Sequence, residues 1–207
     1  MLNKIRDYLV FAGLQYRNPD KSGDEREKML ELRHKGQEAR KAFTELAKAF
    51  QANHPEWQLQ QTSQWMNQAQ RLRPHFWVYI QRDGQVTEPM LALRLYGNPS
   101  DFGISLEVSF IERKKDEQTL GKQAKVLEIP AVEEIYYLAY SDGQSQRWEA
   151  NEENRQILVE KVGSREIRKV LVKSDVSIIE NQSLEVILEK LEDAYKRLLP
   201  YYQATRG

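Results

Sequence analysis

The chain has 207 residues in which 31 Lys plus Arg are balanced by 31 Asp plus Glu. That length suits one ordinary domain with a substantial core, and the balance excludes the overall basicity of a strong nonspecific nucleic-acid binder. There is no cysteine, which excludes disulfides, thiol catalysis and cysteine zinc sites, so a reducing, cytoplasmic setting is expected.

At the N-terminus, Leu2, Ile5 and Leu9 follow helical spacing with Tyr8 and Phe11 beside them, which predicts a first helix to about Tyr16. Its charges break the apolar pattern. No run approaches the roughly 18 to 20 residues that cross a bilayer, so neither a signal peptide nor a membrane segment is expected. Breakers from Asn18 to Gly23 end this helix, and Asp24 with Glu27 reads as a capping box for a long second one. Ala39, Ala42, Phe43, Leu46, Ala47 and Phe50 give that helix a buried face, Gly36 is its weak point, and Pro55 ends it at Asn53-His54. The Gln-rich stretch around Trp57, Leu59 and Trp65 has no clear periodicity.

From Arg73 to Glu112 the pattern changes to alternation. Phe76, Val78 and Ile80, then Leu91, Leu93 and Leu95, then Ile104, Leu106, Val108 and Phe110 point to one packed face. Reversals at Asp83-Gly84 and between Asn98 and Gly103 make a three-stranded antiparallel meander. Its opposite face carries Trp77, Tyr79, Arg94, Tyr96 and Glu107. A charged connection follows, ERKKDEQTLGKQAKVLE, with Leu120, Ala124 and Leu127 on one side of a short helix. Glu134 to Tyr140 and SQRWE then form a hairpin about Ser141-Asp142-Gly143-Gln144. Asn151 caps a helix ending near Gly163, Arg165 to Lys173 alternates as a further strand, and Ser183 starts a last helix that Pro200 stops. The predicted fold is α+β: an antiparallel sheet, meander plus hairpin, packed by a long N-terminal helix and a C-terminal helix. It forms a single domain, helical over 1–70 and sheet-rich over 71–207.

No motif specifies a cofactor or a metal. The histidines, His34, His54 and His75, show no zinc-ligand spacing, and neither a G-x-G-x-x-G nor a phosphate-loop sequence occurs. Asp101 with Glu112-Arg113-Lys114 is similar to the acidic residue plus E-x-K of metal-dependent nucleases. On one continuous strand, however, about eleven steps of about 3.3 Å separate the two carboxylates. An enzyme of that kind is the alternative reading. The preferred one is a non-enzymatic binding module using the second sheet face. Trp77, Tyr79 and Tyr96 offer stacking surfaces; Arg73 and Arg94, with Arg71 and Arg82, a phosphate-attracting rim; and His75 stands at the mouth of the first strand. Glu107 is an acceptor for an exocyclic amine. Nucleic acid is the leading ligand; a protein partner or a second copy of the chain is the other.

The strings P-H-F-W-V-Y-I, L-A-L-R-L-Y-G and I-S-L-E-V-S-F, followed by a closing E-K-L-E-D-A-Y-K-R-L-L helix, together resemble the N-terminal DNA-recognition domain of McrB-type restriction systems. The resemblance covers the chain from Pro74 onward. It implies a module that reads modified DNA, usually beside a GTP-hydrolysing motor, and it assigns no binding residue here. The chain is also similar to small bacterial proteins with no assigned activity.

Overall fold

The structure, a computed structural model, describes residues 2–82, 84, 87–110 and 117–206. Its centre is an antiparallel sheet of seven strands: β1 (Gln58–Leu59), β2 (Trp77–Gln81), β3 (Met90–Asn98), β4 (Asp101–Ser109), β5 (Tyr136–Ser141), β6 (Gln144–Glu149) and β7 (Lys169–Ser177). They lie in the order β1-β2-β3-β4-β7-β5-β6. The predicted meander and hairpin are therefore both present, and β7 joins them by pairing with β4 on one side and β5 on the other. Among the described residues five α-helices accompany the sheet, α1 (Leu2–Leu9), α2 (Arg26–Ala52), α3 (Glu117–Ala124), α4 (Glu152–Gly163) and α5 (Leu184–Thr205). The fold is α+β.

The apolar face is the one that alternation points to. Val78, Leu93, Ile104, Leu106 and Val172 are fully buried in one cluster with Phe43, Leu46 and Phe50 of α2 and Leu191 and Leu198 of α5. Tyr8 of α1 stacks on Phe76 at 5.2 Å, and its hydroxyl donates to the Trp65 and Arg73 carbonyls. The α4 helix contributes Leu158 to the same cluster. None of the helices is long and apolar enough to cross a membrane among the described residues.

Several local expectations change. The first helix ends at Leu9 rather than near Tyr16, because the chain bends back to strand-like pairing of Gln15 with Arg71. No capping box forms at Asp24 and Glu27: Asp24 lies in a short 3-10 turn, and Glu25 at the helix start makes no side-chain cap. Gly36 is a packing requirement, since a Cβ there would sit 2.5 Å from the Trp65 ring. In the short third helix Thr119 and Gln123 are the buried residues, while Leu120 and Ala124 are only half-buried. The strand expected at Arg165 starts later, at Lys169, after Arg165 takes a positive φ of 65°, and it runs on to Ser177. Pro200 does not end α5. The missing N–H and ring crowding of a proline ordinarily break a helix interior, but Tyr201, Tyr202 and Thr205 beyond it are buried and hold the last turn in place.

Candidate functional site

Strand register arranges the second face in rows across the sheet. Trp77 stands opposite Arg94, Arg94 opposite Ser105, and Ser105 opposite Asp175. In the next row Tyr79, Ala92, Glu107, Lys173 and Tyr136 follow one another. This face is neither open nor sealed. Trp77, Tyr79, Arg94 and Tyr96 are half-buried, while Ser105, Glu107 and Lys173 are buried. Farther along it Met90, Ala92, Ser109 and Leu171 are buried as well.

Two carboxylates of this face, Glu107 and Asp175, are consumed internally. Glu107, 1% exposed, accepts from Arg94 Nη2 at 2.9 Å and from Lys173 Nζ at 3.2 Å. Burial alone would push its carboxyl up, yet the two cations outweigh burial and hold it below the usual carboxylate range. Arg94 is correspondingly raised: burial opposes its charge, and Glu107 more than offsets that. Asp175 accepts from Ser105 Oγ at 2.5 Å, Tyr136 Oη at 3.0 Å and Arg147 Nη1 at 2.9 Å. The Tyr136 phenol is raised by burial and by Asp175. A carboxylate expected to read an exocyclic amine is thus a hidden anchor: Glu107 has neither exposure nor a spare cation-free side to offer a ligand.

Above those anchors lie cations stacked on aromatic rings. The guanidinium of Arg73 is 4.7 Å from the Trp77 ring centroid and that of Arg94 is 5.5 Å away. Arg147 lies 3.6 Å from the centroid of Tyr136, with Lys173 at 5.8 Å. Such contacts hold a cation in one place while leaving its remaining donors available. His75 faces Trp77 at 5.8 Å between ring centroids. Burial, then Arg94, Arg73 and Lys173, lowers its pKa from the ordinary 6.5, so it is neutral at neutral pH.

Of the residues singled out from sequence, Arg73, His75, Trp77, Arg94 and Glu107 form one group. Tyr79 lies beside it. Tyr96 sits at the end, over Gly103, where a Cβ would come 2.5 Å from its hydroxyl, and contacts Ser177 Oγ at 3.4 Å. Lys173, Asp175, Tyr136 and Arg147 escaped sequence reasoning as site residues. Alternation of the strands that carry them was their one signal, and it is useful only once β7 is known to pair with β4 and β5. A comparison with family models finds no match, and one with curated proteins finds none.

For the nuclease-like alternative, Glu112, Arg113 and Lys114 lie outside the described residues, as does Asp83 of the predicted turn. Asp101 opens β4 at the Asn98 turn, with its N–H 3.2 Å from Asn98 Oδ1. His34 is exposed on α2, and His54 is bound by Glu192 at 2.9 Å, fastening the end of α2 to α5. No group of three His, Asp or Glu is placed to share a metal ion among the described residues.

Proposed function

We propose that this protein is a non-enzymatic binding module whose second sheet face takes single-stranded nucleic acid. The observation that carries the reading is the vertical order of charge: carboxylates at the floor, guanidinium groups above them on aromatic rings. Arg73, Arg94, Arg147 and Lys173 stand against the inner carboxylates Glu107 and Asp175. A neutral protein thereby presents a locally positive surface, and it can attract phosphate without overall basicity. Unstacked bases would add as further layers on the Arg73–Trp77 and Arg147–Tyr136 stacks, as guanidinium planes and aromatic rings both accept them. A duplex keeps its bases stacked and offers only phosphates to the same surface.

The test is fluorescence anisotropy with labelled single-stranded and duplex oligonucleotides at low and moderate salt. Single strands bind more tightly than duplex, binding weakens with salt, and Trp77→Ala or Arg147→Glu lowers affinity at least about fivefold. Absence of binding at low salt, or equal affinity of both variants and the parent, overturns the proposal.

A further inference from the structure

Where β5 begins, the edge of β7 is left unpaired among the described residues. Ile178 N–H donates to Phe102 O at 3.0 Å, so even-numbered residues of this strand bond β4. The odd-numbered ones, Asp175 and Ser177 among them, turn their N–H and C=O groups the other way. On that side β5 reaches only as far as Lys173, opposite Tyr136. The chain before β5 is deflected at Glu134, whose φ is 61° and whose carbonyl is held by Ser174 Oγ at 2.9 Å. A non-glycine residue at positive φ is uncommon, and here it turns the chain away from the position where a longer β5 would lie.

The deflection leaves a cleft of about 490 Å³ between this strand edge and α5. Ile135 and Val176 supply its apolar floor, and Arg147, Lys190, Asp193 and Arg197 its charged walls. The acidic residues lining it are already engaged. Glu134 pairs with Arg197 at 2.7 Å, Asp193 with Lys196 at 3.1 Å, and Asp175 with Arg147 at 2.9 Å. Lys190 is exposed and has no carboxylate partner among the described residues. Arg147 spends one Nη on Asp175 and is 60% exposed at its side chain, which leaves guanidinium donors facing solvent.

We infer that this cleft is a docking site for an extended acidic peptide, which adds as a short strand along Asp175–Ser177. Its backbone pairs with the outward groups of Asp175 and Ser177. The peptide residue opposite Val176 points, like Val176, toward α5, where a carboxylate meets Lys190. Its neighbours point to the other face of the sheet, where a carboxylate meets Arg147. Main-chain bonds give affinity in strand addition and the alternate side chains give specificity. Arg147 belongs to both surfaces, but Lys190 has no part in the nucleic-acid surface proposed above, so Lys190→Glu tests this inference alone.

A fluorescein-labelled hexapeptide of glutamate, which presents carboxylates on both faces of a strand, is titrated against the full chain, beside its lysine counterpart. The acidic peptide binds and the basic one does not. Lys190→Glu, at an exposed position that leaves the fold intact, weakens the acidic peptide about tenfold and gains affinity for the basic one. N-methylation of one alternate set of peptide amides abolishes binding, whereas N-methylation of the other set leaves it, because only one set faces β7. Equal binding of the two peptides, no response to Lys190→Glu, or equal effects of the two methylation sets overturns the inference.

Discussion

The two sides of the sheet solve the same problem, removing half of every strand from water, by different means. On one side Leu93, Leu106 and Val172 meet apolar residues of α2 and α5. On the other, Glu107 meets Arg94 and Lys173, Ser105 meets Asp175, and the cations lie against the rings of Trp77 and Tyr136. An apolar contact tolerates exchange among similar side chains, whereas a buried ion group is sensitive to the loss of any one partner. A charged face that serves packing alone has apolar substitutes available.

The largest expected break comes from adjacent residues of β4 that face opposite ways. Glu107→Ala strands Lys173 and costs about 3–5 kcal/mol, and Leu106→Ala leaves a cavity and costs about 2–5 kcal/mol. Urea unfolding of the two variants measures both. The combined Arg94→Met, Glu107→Leu and Lys173→Met exchange restores stability close to that of the parent. Oligonucleotide binding does not return with it. Recovery of stability without recovery of binding separates the packing role of the ion group from its role at the surface.

A smaller effect is expected on acidification. The folded-state pKa of His75 lies below its ordinary 6.5. Its contribution to stability is therefore full above the unfolded value and is lost as pH falls through the folded one. Unfolding midpoints taken between about pH 7.5 and about pH 5 show a loss that is reduced in His75→Phe, which keeps a ring against Trp77. The same protonation adds a cation beside Arg73 and Arg94, so oligonucleotide affinity rises in the parent while stability falls. An identical pH profile for the parent and His75→Phe removes His75 from the account.

The smallest change in stability belongs to Arg147→Ala. With a side chain 60% exposed, its ion pair contributes about 0.2–1 kcal/mol to folding. A measurable fall in affinity with almost no fall in stability marks a residue that acts at the surface.

Alternation in the chain was enough to find the meander, because Phe76 to Phe110 repeats with a period that only a sheet with one packed face satisfies. It located the group around Trp77 and Arg94 for the same reason: residues out of phase with the core must share the other face. What it could not supply was pairing between strands distant in sequence. Glu107 looked available because its partner Lys173 lies on a strand with no local tie to β4, and Arg147 and Tyr136 looked like ordinary hairpin residues until β7 brought Asp175 to them. The helix ends were misjudged at Tyr16 and Pro200 where tertiary burial, of Tyr16 against Trp65 and of Tyr201 and Tyr202 in the core, outweighed local preference.

The position of β7 also constrains how the chain assembles. During synthesis β2, β3 and β4 can pair as they emerge, and β5 and β6 can close their own hairpin, yet each group keeps a bare edge until Lys169–Ser177 arrives to fill the gap. Such edges invite pairing with other chains, and contacts of large sequence separation form slowly. A late-arriving strand is thus the step on which the sheet becomes one object, and its delay sets the interval in which a nascent chain is most exposed to aggregation.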